Sequence, residues 1–127
     1  MEFIRKIQFM YKGYRQFTKR EQPWPQITED MTGKTFVITG ANSGIGCAAA
    51  KKIAQLNGVV YLICRNEERG KKAVSDIIKQ TGNKNVYLII GEMGEKDEML
   101  KIYKQLTERL KQIDILVHNA GCMIHER

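Results

Sequence analysis

Three glycines lie within eight residues in the segment Thr39–Gly46, TGANSGIG, which follows the apolar run KTFVI. The run predicts a strand and the residues beyond it predict a helix, so the glycines occupy the turn between them. The first amides of a helix are unpaired and bind phosphate where side chains leave room. We expect Gly40 to permit the tight turn, Gly44 to let backbone approach a pyrophosphate, and Gly46 to let the helix pack on the strand. The segment predicts a dinucleotide site, and a structural turn without ligand is the less favoured alternative.

The second candidate for chemistry is Arg65, nineteen residues beyond Gly46. In dinucleotide sites an acidic residue about twenty residues past the glycines binds the ribose 2′-hydroxyl of NAD, whereas an arginine binds the 2′-phosphate of NADP. Here the strand ends LICRN, so Cys64 stands at the acidic position and Arg65 follows it. A guanidinium forms two hydrogen bonds with phosphate oxygens, and we expect no carboxylate beside it to repel them. The pattern favours NADP over NAD, and the alternative is a solvated arginine paired with Glu67 or Glu68.

The segment TGANSGIG, together with NAG at 119–121, resembles the short-chain dehydrogenase/reductase (SDR) superfamily over about residues 33–127. YKGYRQFTK near the N-terminus, CRN at 64–66 and NAGCM at 119–123 most resemble its member 12 type. The resemblance implies an NADP-dependent oxidoreductase that acts on an alcohol or carbonyl compound. It also implies that the phosphates lie along Gly40, Asn42, Ser43, Ile45 and Gly46, that the adenosine phosphate end contacts Arg65 and Asn66, and that Asn119, Ala120 and Gly121 support the sheet and the cofactor.

Two positions depart from the pattern of the superfamily. Its Asp-Leu pair after the third strand, which contacts adenine, aligns with Glu92 and Met93, so the carboxylate here is one methylene longer. Its Asn-Asn-Ala-Gly run begins with His118 in this chain. We expect His118 to be a core histidine with a backbone hydrogen-bond partner, in preference to a donor toward the cofactor.

The catalytic residues of the superfamily are a tyrosine, a lysine four residues after it, and a serine on a preceding strand. None of the five tyrosines in this sequence is followed four residues later by lysine. We therefore expect no catalytic residue in these 127 residues and interpret them as the cofactor-binding half of an SDR. A sequence fragment is the expected explanation, and a genuine short protein that binds a nucleotide or a partner without catalysis is the alternative.

The elements that position these residues alternate between strand and helix. Their predicted bounds are Lys34–Thr39, Val59–Ile63, Val86–Ile90 and Asp114–His118 for strands, and Gly44–Leu56, Glu67–Gln80 and Lys96–Gln112 for helices. The strands are continuous apolar runs, as in parallel sheets that helices cover on both faces. The sequence therefore predicts an α/β fold, a Rossmann-like parallel sheet of about four strands in the family-like order 3-2-1-4. The fourth strand would be an open edge, so we also expect pairing with another molecule and a homo-oligomer.

Helical periodicity predicts which side chains of these helices point inward. The predicted inward residues are Ile45, Ala49, Ile53 and Leu56 on the first helix, Ala73, Val74, Ile77 and Ile78 on the second, and Met99, Ile102, Tyr103, Leu106 and Leu110 on the third.

Residues 1–32 differ in character from the rest. Residues 1–20 predict a basic amphipathic helix, and residues 21–32 a linker that contains both prolines. Residues 1–22 hold six basic and two acidic side chains, a net charge of +4. The same apolar stripe serves a helix on a membrane surface and a helix packed on the domain or on a partner protein, so both alternatives stay open.

Composition excludes several classes of protein. With 127 residues, 43% hydrophobic and 28% charged, the chain has room for one globular domain. It contains no apolar run of membrane-spanning length and no secretory signal, so we expect a cytoplasmic protein, with residues 1–20 as its membrane contact if it has one. Three widely spaced cysteines predict neither a metal site nor a disulfide framework. The net charge is +7, but no basic-aromatic motif accompanies it, so we expect no nucleic-acid partner.

Overall fold

A computed structural model describes residues 27–122, which form one parallel sheet with helices on both faces. In chain order the elements are β1 (Thr35–Thr39), α1 (Gly44–Gln55), β2 (Val59–Cys64), α2 (Glu67–Thr81), β3 (Val86–Ile90), α3 (Lys96–Arg109) and β4 (Ile115–Val117). The strand order is β3-β2-β1-β4 and every pair is parallel. The structure confirms the Rossmann-like α/β fold, the strand order and the number of strands.

The predicted amphipathic helix over residues 1–20 lies outside the described residues. Of the predicted linker, residues 27–32 contain neither helix nor strand. Among residues 27–122, no helix combines the length and the hydropathy needed to cross a membrane.

The side chains of β2 point alternately to the two faces of the sheet, which explains why its sequence is apolar throughout. Val60, Leu62 and Cys64 belong to the core that α1 and α2 cover, whereas Tyr61 and Ile63 belong to the core that α3 covers. Successive strand residues point to opposite faces, so a central strand with helices on both sides needs apolar residues at every position. Five of the six β2 residues are buried, and the sixth, Val59, is half-buried.

Local signals at both ends of α2 explain its bounds. The side-chain oxygen of Asn66 accepts a hydrogen bond from the Arg69 amide at 2.9 Å, which satisfies one unpaired donor of the first turn. Glu67 and Glu68 in that turn complement the positive end of the helix dipole. At the other end Gly82 adopts φ 75°, and its amide donates to the Ile78 carbonyl at 2.8 Å.

The sheet-facing side of α1 differs from the predicted one. Gly46, Ala50 and Ala54 are its buried residues, and they recur every four positions. The prediction that Ile45 points into the core is wrong, because its side chain is 83% exposed. Small residues let α1 lie close to the strands, and Ile45 lies outside the buried row that they form. Ile53 is half-buried at the flank of this core.

The helix α3 also buries fewer side chains than its periodicity predicts. Ile102 is the one buried residue of α3. Its side chain packs closely on Gly91, since a Cβ at Gly91 would lie 2.5 Å from the Cγ1 atom of Ile102. Leu106 is half-buried against the same core. Met99 and Tyr103 are 47% and 65% exposed, so the prediction that they point inward is wrong. The sheet contacts of α3 concentrate on β3, which leaves the apolar side chains beyond that strip uncovered.

Candidate functional site

The turn after β1 requires glycine at Gly40 for two reasons. Gly40 adopts φ 65°, in the left-handed region that other residues rarely enter. A Cβ at this position would also lie 2.9 Å from the Cα atom of Ala120, closer than real contacts allow. The Gly40 amide donates to the Ile63 carbonyl at 2.9 Å. The turn is therefore held against β2 and against the segment that follows β4.

Gly46 brings α1 against the residues that follow β4. A Cβ on Gly46 would lie 2.5 Å from the side-chain nitrogen of Asn119 and 2.7 Å from the Gly40 carbonyl oxygen. A larger side chain would push the helix away from both groups. The close approach of α1 to the turn therefore depends on this glycine.

The N-terminus of α1 is open. Ser43 precedes the helix but makes no side-chain hydrogen bond to it, and its first turn contains no acidic residue. The first amide that bonds within the helix is that of Cys47, which donates to the Ser43 carbonyl at 3.3 Å. Gly44, at φ 56°, has no atom within 4 Å of the place where a Cβ would lie. Ser43, Gly44 and Ile45 are all exposed. A pyrophosphate fits this arrangement, because the first amides of a helix are unpaired and the residues at the positive end of the α1 dipole are exposed.

Thr39 joins the turn to the segment after β4, although no sequence motif marks it as a site residue. Its side chain is 2% exposed, and its hydroxyl oxygen accepts hydrogen bonds from the amides of Asn119 and Ala120, both at 3.0 Å. The hydroxyl also donates to the Val117 carbonyl at 3.5 Å. A buried hydroxyl at the end of a strand needs partners, and this was the available signal in the sequence.

The Asn119 side chain completes the junction between the glycine turn and the segment NAG. Its amide nitrogen donates to the carbonyls of Thr39 and Gly40 at 3.1 and 3.2 Å. Asn119 is half-buried, whereas Ala120 and Gly121 are exposed beside the turn. The segments TGANSGIG and NAG are therefore adjacent in space, 80 residues apart in the chain.

His118 is exposed, so the prediction of a core histidine is wrong. The physical reason is the position of β4 at the edge of the sheet. Val117 is the last residue of that strand, and no described element covers the side chain that follows it.

Arg65 and Asn66 lie where β2 ends, next to Glu92 and Met93 after β3. A nitrogen of the Arg65 guanidinium lies 3.7 Å from a carboxylate oxygen of Glu92. The expectation that no carboxylate lies beside Arg65 is therefore wrong. Parallel pairing of β2 with β3 places the two residues together although they are distant in sequence. Asn66 caps α2, and Met93 is half-buried against the core under α3.

The predicted alternative partners of Arg65 are not the ones observed. Glu67 pairs with Lys71 at 2.7 Å along α2, and no described ion pair joins Glu68 to Arg65. Burial raises the pKa of the Cys64 thiol, and its interactions with the backbone of Ala41 and Asn42 act in the opposite direction. Cys64 is thus a buried thiol at the end of β2, the position at which NAD sites have an acidic residue.

Comparison with known proteins identifies the family. Residues 34–127 match the family described as short chain dehydrogenase. The chain belongs to the short chain dehydrogenase family. Human dehydrogenase/reductase SDR family member 12 is 31% identical over 134 aligned positions, which include the whole of this chain and 42% of that relative. Human retinol dehydrogenase 11 is 35% identical over 97 positions, which cover 76% of this chain and 30% of that protein. The chain thus spans less than half the length of these short chain dehydrogenases.

Solved structures support the same fold. Menthone neomenthol reductase from Mentha piperita matches with a TM-score of 0.66 and 29% identity, over 72% of this chain and 33% of that one. The Pseudomonas aeruginosa RhlG/NADP active-site complex matches with a TM-score of 0.67 and 22% identity, over 73% of this chain and 36% of that one. The short chain dehydrogenase fold of this chain is the Rossmann-like arrangement described above.

Proposed function

We propose that this chain forms the cofactor-binding part of an NADP-dependent short-chain oxidoreductase whose substrate is an alcohol or carbonyl compound. The junction of the glycine turn with NAG supports the proposal. Thr39 and Asn119 hold the two segments together beside the N-terminus of α1, whose first two residues are exposed. This junction supports an anion site at the N-terminus of α1.

The chain's own residues have distinct roles in this proposal. Backbone amides at Gly44, Ile45 and Gly46 receive the pyrophosphate, with Asn42 and Ser43 at its rim. Arg65 and Asn66 lie at the adenosine end, with Glu92 and Met93 beside the adenine. Asn119, Ala120 and Gly121 support the opposite side of the cofactor. When bound, the nicotinamide supplies or accepts a hydride.

The preference for NADP over NAD depends on Arg65. Its side chain is 76% exposed at the carboxyl end of β2, where parallel α/β sheets bind their ligands. Cys64 occupies the position at which a carboxylate would bind a 2′-hydroxyl, and it is buried and apolar. A guanidinium can engage a 2′-phosphate in two hydrogen bonds at this place.

Replacement of Arg65 tests the cofactor preference. Because a hydrogen bond between charged groups contributes about 1.5–3 kcal/mol, we expect Arg65→Ala to weaken NADPH binding by that amount and to leave NADH binding nearly unchanged. Fluorescence titration with each dinucleotide measures both affinities. Arg109→Ala is the control, since Arg109 is also an exposed arginine and lies in the last turn of α3. Equal losses for the two cofactors would contradict the assignment.

A second candidate function is a nucleotide-binding or interaction protein without catalysis. The observation that favours it is the absence of the Tyr-to-Lys spacing in these 127 residues. The coding sequence downstream of residue 127 distinguishes the two functions. A continuation with that spacing favours the oxidoreductase, and a stop codon favours the second function.

We also propose that the chain self-associates and that its compartment is cytoplasmic. The exposed β4 residues Ile115 and Leu116, 42% and 48% exposed, support self-association through this edge. The free thiols of Cys47, Cys64 and Cys122 support a reducing, cytoplasmic compartment. Residues 1–20 provide the proposed contact with a membrane surface or a partner protein, and nucleic acid is not among the proposed partners.

A further inference from the structure

The ends of β2 and β3 form one continuous edge. The Gly91 amide donates to the Cys64 carbonyl at 3.0 Å, so backbone pairing extends to the last residue of β2. Arg65 and Glu92 are the next residues on the two chain segments, and neither is part of a helix or strand. Their side chains therefore leave neighbouring points of the same edge.

Glu92 is held in place by its own loop. One of its carboxylate oxygens, Oε1, accepts a hydrogen bond from the Gly94 amide at 3.3 Å. The other, Oε2, faces the Arg65 guanidinium at 3.7 Å. A carboxylate with one oxygen committed to backbone presents its second oxygen in a restricted direction.

The ion pair is weak enough to exchange. Its distance of 3.7 Å exceeds that of a hydrogen bond, and the two side chains are 76% and 43% exposed. Arg65 has five N–H donors, and the described residues accept no hydrogen bond from them. An anionic group that offers two well-directed oxygens would bind the guanidinium better than Glu92 does.

We propose that Glu92 determines how strongly Arg65 discriminates between dinucleotides, by competing with the 2′-phosphate for its guanidinium. This inference rests on the proposed function, in which Arg65 binds that phosphate. A ligand with a 2′-phosphate must displace the Glu92 carboxylate and lie near its negative charge. A ligand with a free 2′-hydroxyl does neither. Glu92 therefore lowers affinity for NADP selectively and keeps the preference over NAD moderate.

The experiment compares two adenosine fragments, 2′,5′-ADP and 5′-AMP, which differ only in the 2′-phosphate. Calorimetric titration of the full chain with each fragment measures the affinities for wild type, Glu92→Gln, Glu95→Gln, Arg65→Ala and the double variant Arg65→Ala with Glu92→Gln. Glutamine keeps the acceptor for the Gly94 amide and removes the charge. Glu95 is the matched control, because it is exposed and its side chain has no described hydrogen bond or ion pair. Circular dichroism checks that each variant is folded.

We expect Glu92→Gln to raise the ratio of the affinities for 2′,5′-ADP and 5′-AMP about three-fold, the effect of an exposed ion pair, because any contact with the adenine is common to both fragments. Glu95→Gln should leave this ratio unchanged, and Glu92→Gln should not change it once Arg65 is alanine. An equal rise of the ratio in the two glutamine variants would show a general charge effect and overturn the inference.

The same titrations separate this inference from the proposed function. If Arg65→Ala removes the preference for 2′,5′-ADP and Glu92→Gln leaves it unchanged, only the role of Glu92 is wrong. If wild type has no preference and Glu92→Gln creates one, the competition is confirmed and the proposed NADP preference is wrong. If neither protein prefers 2′,5′-ADP, both are wrong.

Discussion

The face of the sheet under α1 and α2 and the face under α3 share the same strands but differ in how much apolar surface they bury. The first face contains a core of ten buried residues drawn from three strands, two helices and Ala41 in the turn. The second contains five buried residues, of which only Ile102 comes from a helix. Large apolar side chains on α3 and around β4 stay exposed: Met99, Leu100, Tyr103, Ile113, Ile115 and Leu116.

The difference shows which part of the molecule fixes the candidate site. The glycine turn and α1 are continuous with the well-buried face, so the proposed anion site lies on the side with the larger buried core. The exposed apolar side chains of α3 and β4 mark a surface suited to further contacts. Strand register places Leu116 beside Val37, on the face that α3 covers only in part.

The prediction with the largest expected effect compares the truncation of one leucine in each of the two regions. Leu62 is fully buried in the core under α1 and α2, whereas Leu116 is 48% exposed. We expect Leu62→Ala to lower the free energy of unfolding by about 2–5 kcal/mol, because it leaves a cavity. We expect Leu116→Ala to lower it by less than about 1 kcal/mol. Urea denaturation followed by circular dichroism measures both. Similar losses would show that the two regions are equally well packed.

The next test addresses the close approach of α1 to the turn. We expect Gly46→Ala to lower the free energy of unfolding by about 2–3 kcal/mol and to abolish NADPH binding, because the methyl group overlaps Asn119 and the Gly40 carbonyl. Gly44→Ala meets no atom within 4 Å, so only its positive φ opposes the change, at about 1 kcal/mol. Thermal unfolding and NADPH titration provide the measurements. A tolerated alanine at Gly46 would refute the packing role assigned to this glycine.

The prediction with the smallest expected effect concerns the hydrogen bonds that join the glycine turn to the segment NAG. Thr39→Val preserves the shape of the side chain but leaves the amides of Asn119 and Ala120 without their acceptor, so we expect a loss of about 1–2 kcal/mol. Thr35→Val is the matched control at the start of β1, where the described side chain makes no hydrogen bond, and should change stability by less than about 0.5 kcal/mol. Hydrogen exchange at Asn119 and Ala120 should accelerate only in the Thr39 variant. Unchanged exchange there would show that another group holds the segment.

Local pattern in the sequence determined the elements, their order and the glycine turn. Apolar runs of strand length, helical periodicity and glycines between them are properties of neighbouring residues, so they are visible without a structure. The predicted strand bounds agree with the observed ones to within one residue at each end, and strand order 3-2-1-4 is confirmed. The resemblance to the short-chain dehydrogenases is likewise confirmed by the family match.

Tertiary structure alone decided which side chains meet. Periodicity placed Ile45 and Tyr103 on inward faces, but burial depends on how far a neighbouring element extends over them. The partner of Arg65 is Glu92, 27 residues away, and the partners of the Thr39 hydroxyl lie 78 to 81 residues away. Such pairs arise because parallel strands bring their carboxyl ends to one edge, and the exact side chains that touch there depend on register and on competing partners. For that reason the sequence predicted an unopposed arginine, and the fold supplied a carboxylate.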